Sequence, residues 1–293
     1  MQTQSAMTLL PRGERKWWRD AVTYQVYIRS FADANGDGKG DVEGIRSRLP
    51  YLKKLGIDAI WITPWYPSPQ NDHGYDVSNY MDIEPDYGTL ADAERLIKEA
   101  HEMGMRIIVD IVPNHTSDQH AWFQAALKAA PGSKERARYM FKDGKGEDGE
   151  LPPNNWNAVF GGSAWQRVTE ADGELGQWYL HLFATEQPDF NWEHVEVREH
   201  FENILKFWLD LGVDGFRIDV AHALTKDFSD GLPARNTMDI DPKKPDGSDP
   251  LFDRDEVHEI YRQWRKVFNE YDPPRVAVAE ASAPAYRLGA YAS

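Results

Sequence analysis

Two carboxylates follow short apolar segments that are typical of strands. Asp219 comes directly after GFRI, and Arg217 lies two residues earlier, on the same face of that strand. A neighbouring guanidinium favours the ionised carboxylate, which suits a nucleophile. Glu280 follows VAVA, an apolar setting that favours the protonated carboxyl and so suits a general acid. This pairing is the pattern used in glycoside hydrolysis, although a structural ion pair and a strand-end cap also explain the two residues.

Further polar residues occupy two other predicted strand ends. They are Asp110, Asn114 and His115 in DIVPNHTS, and Tyr75 and Asp76 in HGYDV. Histidine and aspartate can hydrogen-bond sugar hydroxyls, and a tyrosine ring can pack on the apolar face of a pyranose. A lone histidine is more often structural, however, and HGYDV taken alone is also compatible with a turn.

The stretch DANGDGKGD, residues 33–41, has the spacing of a calcium loop. Its oxygen-bearing side chains, which alternate with glycines, are Asp33, Asn35, Asp37 and Asp41. Hard divalent cations prefer such oxygen ligands. The alternative is a glycine-rich turn with solvated acids.

Short apolar segments alternate with amphipathic ones along most of the chain. The predicted strands are 21–29, 58–63, 105–112, 214–219 and 275–280, and the predicted helices are 42–56, 90–104, 195–212 and 255–272. This alternation implies an α/β fold with a parallel sheet, and a doubly wound sheet and a β/α barrel both fit five strands. In either fold, catalytic groups lie at the carboxyl ends of the strands. Asp110, Arg217, Asp219 and Glu280 fall at such ends.

The alternation breaks between residue 116 and about residue 192. This region is rich in Gly, Pro, Asn and Trp and shows little clear periodicity. It is therefore predicted to be an inserted subdomain. A second polar region, 223–254, is predicted to be a loop.

Composition excludes several classes of function. A formal charge of −15 argues against a nucleic-acid partner and against an anionic membrane surface. With no cysteine among 293 residues, disulfides and thiolate sites are excluded. The first residues lack the apolar run of a signal peptide, and no stretch approaches 18 consecutive apolar residues. A cytoplasmic protein is therefore the expectation.

The motifs HGYDV, DIVPNH, GFRIDVAH and AVAEA, in this order, resemble those of the α-amylase superfamily of glycoside hydrolases. WWRDAVTYQVYIRSFADANGDGKGD and QPDFNWEHVEVRE are similar to the α-glucosidase and oligo-1,6-glucosidase branch. The resemblance implies a (β/α)₈ TIM barrel with a subdomain inserted after the third strand. It divides the chain into a tail (1–16), a first barrel part (17–115), subdomain B (116–192) and a second barrel part (193–293).

The same resemblance assigns a role to each motif position. It implies that Asp219 is the nucleophile, that Glu280 is the general acid/base and that Arg217 stands beside the nucleophile. The implied contacts of the sugar are Tyr75, Asp76 and His115, supported by Asp110 and Asn114, with Val220 and His222 towards the aglycone. Valine after the nucleophile tends to accompany α-1,6 cleavage in this branch.

For the loop at 33–41, the resemblance implies a structural Ca²⁺, with Mg²⁺ as an alternative. The Lys39 carbonyl would join the side-chain ligands. The loop also resembles the start of an EF-hand loop, but its twelfth position is Gly44 instead of glutamate. The metal is therefore expected to stabilise the fold, and no organic cofactor is expected.

The implied activity is retaining hydrolysis of short α-linked gluco-oligosaccharides. A transglycosylase or an isomerase such as a trehalose synthase would use the same residues, and a non-catalytic transporter heavy chain is disfavoured because Asp219 and Glu280 are present. The third catalytic aspartate of the family is absent, and Ser282 stands where relatives usually have tryptophan. The sequence is thus expected to be the N-terminal portion of a longer enzyme, with about five of eight strands and no activity alone. The oligomeric state is left open.

Overall fold

The structure, a computed structural model, describes residues 16–170, 172–229, 231–232, 234–235 and 246–292. The strands are β1 (Thr23–Val26), β2 (Ala59–Ile62), β3 (Arg106–Ile111), β4 (Phe141–Lys142), β5 (Trp165–Thr169), β6 (Leu175–Leu180), β7 (Gly215–Ile218) and β8 (Val276–Ala279). The helices are α1 (Ile28–Phe31), α2 (Val42–Ser47), α3 (Leu49–Leu55), α4 (Leu90–Glu102), α5 (Ala121–Lys128), α6 (Lys134–Ala137), α7 (Val195–Asp210), α8 (Val257–Phe268) and α9 (Leu288–Tyr291), preceded by a 3-10 turn at Trp17–Arg19.

The main sheet has the strand order of a β/α barrel. Its parallel strands lie in the order β1-β2-β3-β7-β8, so each strand is followed in space by the next one of this sheet along the chain. A doubly wound sheet reverses its strand order at a switch point, and no reversal occurs among these strands. The predicted α/β class is confirmed, and the barrel-type order is favoured over the doubly wound alternative.

The register of the sheet brings the candidate site together. Asp110 of β3 pairs directly with Arg217 of β7, and Arg217 pairs in turn with Val278 of β8. Asp219 and Glu280 follow the last residues of β7 and β8, which are themselves paired (Ile218 with Ala279). Short parallel strands therefore deliver these groups to the same edge of the sheet.

Two predicted elements differ from the observed ones. The strand predicted at 21–29 ends at Val26, and Ile28–Phe31 forms a helical turn on which the loop 33–41 folds back. Gly40 permits this approach, because a Cβ there would lie 2.0 Å from the carbonyl oxygen of Ile28.

The helix predicted at 42–56 is divided into α2 and α3, which meet at Arg48. Pro50 lies in the first turn of α3, where its missing N–H is tolerated, whereas in the middle of one long helix it would break the ladder. Gly56 ends α3 as predicted, with a φ of 88°.

The region 116–192 contains its own small antiparallel sheet, with strands in the order β4-β6-β5. Its fully or almost fully buried Trp156 and Trp165 pack in a cluster that also contains Val220 and Phe252 from the region after β7. The inserted region therefore packs against the segment that follows Asp219. The division of the chain at 115 and 193 stays a prediction.

The core lies between the main sheet and its helices. β3 is buried at every residue except Arg106, as expected for a parallel strand covered on both faces. Helix α4 begins with a capping box in which Thr89 and Asp92 satisfy each other's backbone N–H groups. Among the residues described, no helix is both long and apolar enough to cross a membrane.

Candidate active site

Arg217 is the centre of the candidate site. Its Nη1 atom lies 2.8 Å from Oδ1 of Asp110 and 2.5 Å from Oδ1 of Asp219. Its Nη2 atom lies 2.8 Å from Oε2 of Glu280. One guanidinium therefore contacts three carboxylates at the carboxyl ends of three adjacent strands.

The charges of this cluster do not balance, because a single cation faces three acids. Burial, reinforced by the negative charge of Asp110, raises the pKa of Asp219 well above its ordinary value, although Arg217 opposes the shift. Burial also raises the pKa of Asp110 to about 6 against the same opposing arginine. The prediction that Arg217 would dominate and favour an ionised Asp219 is therefore wrong for the protein without substrate. The cluster instead favours retention of a proton.

The surroundings of Glu280 also differ from the prediction. Its side chain is 52% exposed, so the apolar residues of β8 do not enclose the carboxyl. Three groups position it: the Arg217 guanidinium, the Val220 N–H, which donates to Oε2 at 3.1 Å, and the Ala221 N–H, which donates to the Glu280 carbonyl oxygen at 2.9 Å. Glu280 is thus anchored to the segment after Asp219 while it remains open to a ligand.

The aromatic residues Trp61 and Tyr75 flank the cluster. The Trp61 Nε1–H donates to Oδ2 of Asp110 at 2.8 Å, and the guanidinium of Arg217 lies 5.2 Å from the Trp61 ring. The Tyr75 hydroxyl lies 3.4 Å from Oδ2 of Asp110, and burial raises its pKa. Sequence reasoning missed Trp61. The signal that could have found it is the alternation of side chains along a strand. Trp61 pairs with Ile108, which lies two residues before Asp110 and on the same face of the sheet.

A cleft of about 730 Å³ opens beside this cluster on the main sheet. Trp61, Arg217 and Glu280 line one part of it, and Trp17 and Trp18 from the N-terminal turn line another. A tryptophan ring, a cation and an exposed acid therefore face one cavity. Of its tryptophan rings, that of Trp61 lies next to the carboxylates, through its hydrogen bond to Asp110.

His115 and Asn114 form a buried pair behind Tyr75. The Asn114 Nδ2 atom lies 3.1 Å from Nδ1 of His115, and the His115 Nε2 atom lies 3.2 Å from the carbonyl oxygen of Tyr75. Burial lowers the pKa of His115 to about 4, so the imidazole is neutral at neutral pH. The ring is a hydrogen-bonding group of fixed orientation and not a cation.

Asp76 does not join the carboxylate cluster. Its carboxylate is fully buried and accepts hydrogen bonds from the Ser68 hydroxyl at 2.8 Å, the Asn71 N–H at 2.9 Å and the Asp72 N–H at 3.1 Å. These bonds hold the loop after β2. In this conformation Asp76 supports the segment that carries Tyr75.

Val220 and His222 lie on the segment after β7, next to Glu280. Val220 has a φ of 46°, a left-handed conformation that is uncommon for a β-branched residue and indicates local strain. The His222 ring packs on Phe252, with 5.6 Å between centroids, and its Nδ1 accepts from the Ser282 N–H at 3.2 Å. Burial lowers the pKa of His222. Ser282 thus contributes its backbone to the placement of His222.

The loop 33–41 is closed by hydrogen bonds between its side chains and its backbone. Asp33 accepts from the N–H groups of Gly36 and Gly38, and those bonds lower its pKa. Asn35 and Asp37 each accept from the N–H two residues on. Asp41 caps α2 by accepting from the Gly44 N–H at 2.5 Å.

A metal ion does not fit all the predicted ligands in this conformation. Both oxygens of Asp41 already accept backbone hydrogen bonds, and its residue is only 4% exposed. Within the part of the chain that the structure describes, no three His, Asp or Glu side chains converge as a metal site. Asp33, Asn35, Asp37 and the Lys39 carbonyl lie on the exposed part of the loop, and the calcium site there stays a prediction.

Comparison with known proteins agrees with the motifs. Over 263 residues the chain is 44% identical to the oligo-1,6-glucosidase of Parageobacillus thermoglucosidasius, an alignment that covers 88% of this chain and 44% of that enzyme. It is 51% identical over 221 residues to the trehalose-6-phosphate hydrolase of Escherichia coli K12, which covers 75% of this chain and 38% of that enzyme.

Among solved structures, a trehalulose synthase superposes with a TM-score of 0.82 at 40% identity, covering 94% of this chain and 48% of that one. The chain therefore spans somewhat less than half the length of these relatives. Residues 25–291 match the family model described as the catalytic domain of alpha-amylase. The chain belongs to the α-amylase family, as its motifs predicted.

Proposed function

We propose that this chain carries the two catalytic carboxyls of a retaining α-glucoside hydrolase that acts on short α-linked gluco-oligosaccharides. The contact of one guanidinium, Arg217, with both Asp219 and Glu280 carries the proposal. It holds the two carboxyls as neighbours, and retaining glycosidases need a separation of about 5–5.5 Å. The similarity to oligo-1,6-glucosidases supports the substrate class.

In the first step, a carboxylate oxygen of Asp219 attacks the anomeric carbon. The glycosidic C–O bond breaks, and Glu280 transfers its proton to the departing oxygen, leaving a β-glycosyl ester on Asp219. In the second step, Glu280 removes a proton from water, whose oxygen attacks the anomeric carbon and displaces Asp219. Two inversions at one carbon retain its configuration.

The charge imbalance around Arg217 lets the three acids hold a proton among them. Catalysis needs Asp219 ionised and Glu280 protonated. When a sugar binds, the proton must therefore leave the buried aspartates and reach Glu280, the exposed member of the cluster. Arg217 then holds Asp219 in place for attack, since its Nη1 atom donates to Oδ1 of Asp219 at 2.5 Å and to Oδ1 of Asp110 at 2.8 Å.

The remaining residues are proposed to bind and orient the sugar. Tyr75 presents a ring whose hydroxyl is fixed next to Asp110, and His115 supplies a neutral hydrogen-bonding nitrogen. Val220 and His222 lie beside Glu280, where the aglycone would leave. Val220 also supports a preference for α-1,6 bonds. No organic cofactor takes part in this chemistry.

A transglycosylase or isomerase is the second candidate, because trehalulose synthases resemble the chain closely in structure. Both activities share the glycosyl-enzyme and differ in whether water or a sugar hydroxyl accepts the glycosyl group. Products formed from isomaltose, maltose, sucrose and trehalose distinguish them. Free glucose supports the hydrolase, and a new disaccharide supports the isomerase.

The loop 33–41 is proposed to bind a structural Ca²⁺ through Asp33, Asn35, Asp37 and the Lys39 carbonyl. The oxygen-rich spacing supports the proposal, and Asp41 would need to leave its cap to take part. A cytoplasmic location also stays a prediction, in keeping with a chain without cysteine.

The catalytic assignment is tested by Asp219→Asn and Glu280→Gln in the native protein. Asp219→Asn should lower kcat on p-nitrophenyl α-glucoside by several orders of magnitude, because the amide is a poor nucleophile. Glu280→Gln should harm alkyl glucosides far more than p-nitrophenyl glucoside, because nitrophenolate leaves without protonation. Glu259→Gln, on the exposed face of α8, is the matched control. An Asp219→Asn protein with more than about a tenth of the normal rate would overturn the assignment.

A further inference from the structure

Lys226 places an ammonium group in the interior, at the junction of three segments. Its Nζ atom lies 3.0 Å from Oδ2 of Asp189 in the inserted region, 3.0 Å from Oδ1 of Asn114 after β3, and 2.8 Å from the carbonyl oxygen of Ala223. The side chain is 1% exposed, and that of Asp189 is fully buried. The ammonium group thus donates hydrogen bonds to Asn114 and Ala223 and forms an ion pair with Asp189.

This contact fixes the orientation of the Asn114 amide. An ammonium group has only donors, so the amide oxygen of Asn114 must face Lys226. The amide nitrogen then faces Nδ1 of His115 at 3.1 Å and donates to it. A flipped amide would place its NH₂ group against the ammonium.

The other nitrogen of His115 faces an acceptor and a second donor. Its Nε2 atom lies 3.2 Å from the carbonyl oxygen of Tyr75 and 3.1 Å from Nε2 of Gln187. The Gln187 amide is also fixed, because its nitrogen donates to Asp72 at 2.9 Å and its oxygen accepts from the Ala184 N–H at 3.0 Å.

The two neutral tautomers of His115 satisfy these neighbours unequally. With the proton on Nε2, the ring accepts from Asn114 and donates to Tyr75, and only Gln187 lacks a bond to it. With the proton on Nδ1, the ring accepts a hydrogen bond from Gln187. However, its N–H then faces the Asn114 NH₂ group, which is also a donor, and the hydrogen bond to the Tyr75 carbonyl oxygen is lost. The first tautomer makes two hydrogen bonds, and the second makes one.

We propose that Lys226 is a positioning residue that selects the Nε2–H tautomer of His115 through the amide of Asn114. The tautomer itself does not depend on the proposed function. Its consequence does rest on it: the Nε2–H of His115 donates to the carbonyl oxygen of Tyr75 and so helps to hold the residue that carries the proposed sugar site. Burial keeps the imidazole neutral, since it lowers the pKa of His115 to about 4.

The tautomer can be read by long-range ¹H–¹⁵N correlation on protein labelled with ¹⁵N-histidine at neutral pH, without substrate. His115→Gln assigns the resonance. We expect an Nε2–H pattern for His115 in the native protein. In Asn114→Asp, a carboxylate oxygen replaces the donor at Nδ1, and we expect the proton to move to Nδ1.

Lys226→Met removes the constraint on Asn114, and we expect a mixture of tautomers or the Nδ1–H form. Because this change leaves Asp189 without its cation, the double variant Lys226→Met/Asp189→Ala removes both charges together, should the single variant fail to fold. The matched control is Lys206→Met, whose exposed partner Glu270 lies 3.8 Å away; it should leave the Nε2–H pattern unchanged.

An Nδ1–H or doubly protonated His115 in the native protein would overturn the proposal. So would an unmixed Nε2–H signal in a folded variant that lacks Lys226. Neither result depends on glycosidase activity, so a failure here is distinct from a failure of the proposed function.

Discussion

Asp110 and Arg217 lie opposite each other in the register of two parallel strands, and Nη1 of Arg217 lies 2.8 Å from Oδ1 of Asp110. This pair is the base of the site, because the same guanidinium continues to Asp219 and to Glu280. Strand register thus brings the three carboxylates to one edge of the sheet, where Arg217 contacts all of them. The placement of all three acids therefore depends on their contacts with one guanidinium, that of Arg217.

Arg217→Lys should inactivate the proposed hydrolase although the charge is kept. A lysine has one compact ammonium group and cannot contact Asp219 and Glu280 through two separate nitrogens. We expect a loss of kcat of about a hundredfold or more, comparable with the loss of one stabilising electrostatic contact. Steady-state kinetics on p-nitrophenyl α-glucoside measure it. Arg262→Lys, an exposed arginine on α8, is the control, and equal losses in the two variants would argue against a special role for Arg217.

Asp110→Asn should move the acidic limb of the pH–kcat/KM profile to lower pH. Asp110 is a negative neighbour that helps to raise the pKa of Asp219, so its neutralisation lowers that pKa. The asparagine keeps only one of the two hydrogen bonds that Asp110 accepts from Trp61 and Arg217, because an amide oxygen turned to the Trp61 indole turns the NH₂ group to Nη1 of Arg217. The profile is compared with that of Asp118→Asn, which lies outside the cluster. If the acidic limb of the profile moves to higher pH in Asp110→Asn, the negative charge of Asp110 does not raise the pKa of Asp219, and the account of the cluster is contradicted.

The buried His120 should make the fold sensitive to acid. Burial lowers the pKa of His120 to about 3, and its Nδ1 accepts from the Trp122 N–H at the start of α5. The unfolded chain protonates this residue below about pH 6.5, so stability is lost as the pH falls from there towards 3. His120→Asn keeps a capping acceptor without titrating.

Between pH 7 and pH 4, the native protein should lose on the order of 3 kcal/mol more free energy of unfolding than His120→Asn. Urea titrations at the two pH values give this difference directly, and contributions shared by both proteins cancel. Parallel pH dependence of the two proteins would show that His120 does not titrate as its burial requires.

The loop 33–41 should show two separable contributions to stability. If it binds Ca²⁺, added calcium should raise the Tm, and Asp33→Asn with Asp37→Asn should abolish that increase. Asp41→Ala should cost about 1 kcal/mol with or without calcium, because Asp41 caps α2. Calorimetry with calcium and with chelator tests both. If the native protein has the same Tm with calcium and with chelator, the loop does not bind a structural Ca²⁺.

The regular elements could be predicted because their signals are local. Gly56 ends α3 and the apolar run of β3 is buried as the pattern indicated. The early end of β1 was not predictable in the same way, because it accompanies a tertiary contact in which the following loop folds back on Ile28 at Gly40.

The residues of the candidate site could be predicted from the sequence, but the pKa shifts of its acids could not. Asp219, Glu280 and Arg217 were identified from motif and strand parity. Burial raises the pKa of Asp219, and the negative charge of Asp110, which the pairing of β3 with β7 brings to the same guanidinium, adds to that shift. Neither effect can be read from the motif. Lys226 gave no signal at all, since its two side-chain partners, Asp189 and Asn114, lie 37 and 112 positions away along the chain.

The central claim is that Asp219 is the nucleophile, and covalent trapping tests it most directly. The native protein is incubated with 5-fluoro-α-glucosyl fluoride, which forms a slowly hydrolysed glycosyl-enzyme, and is then digested for peptide mass spectrometry. The account predicts one fluoroglucosyl adduct, located on Asp219 and absent in Asp219→Asn. An adduct on Glu280 or on another carboxylate would contradict it.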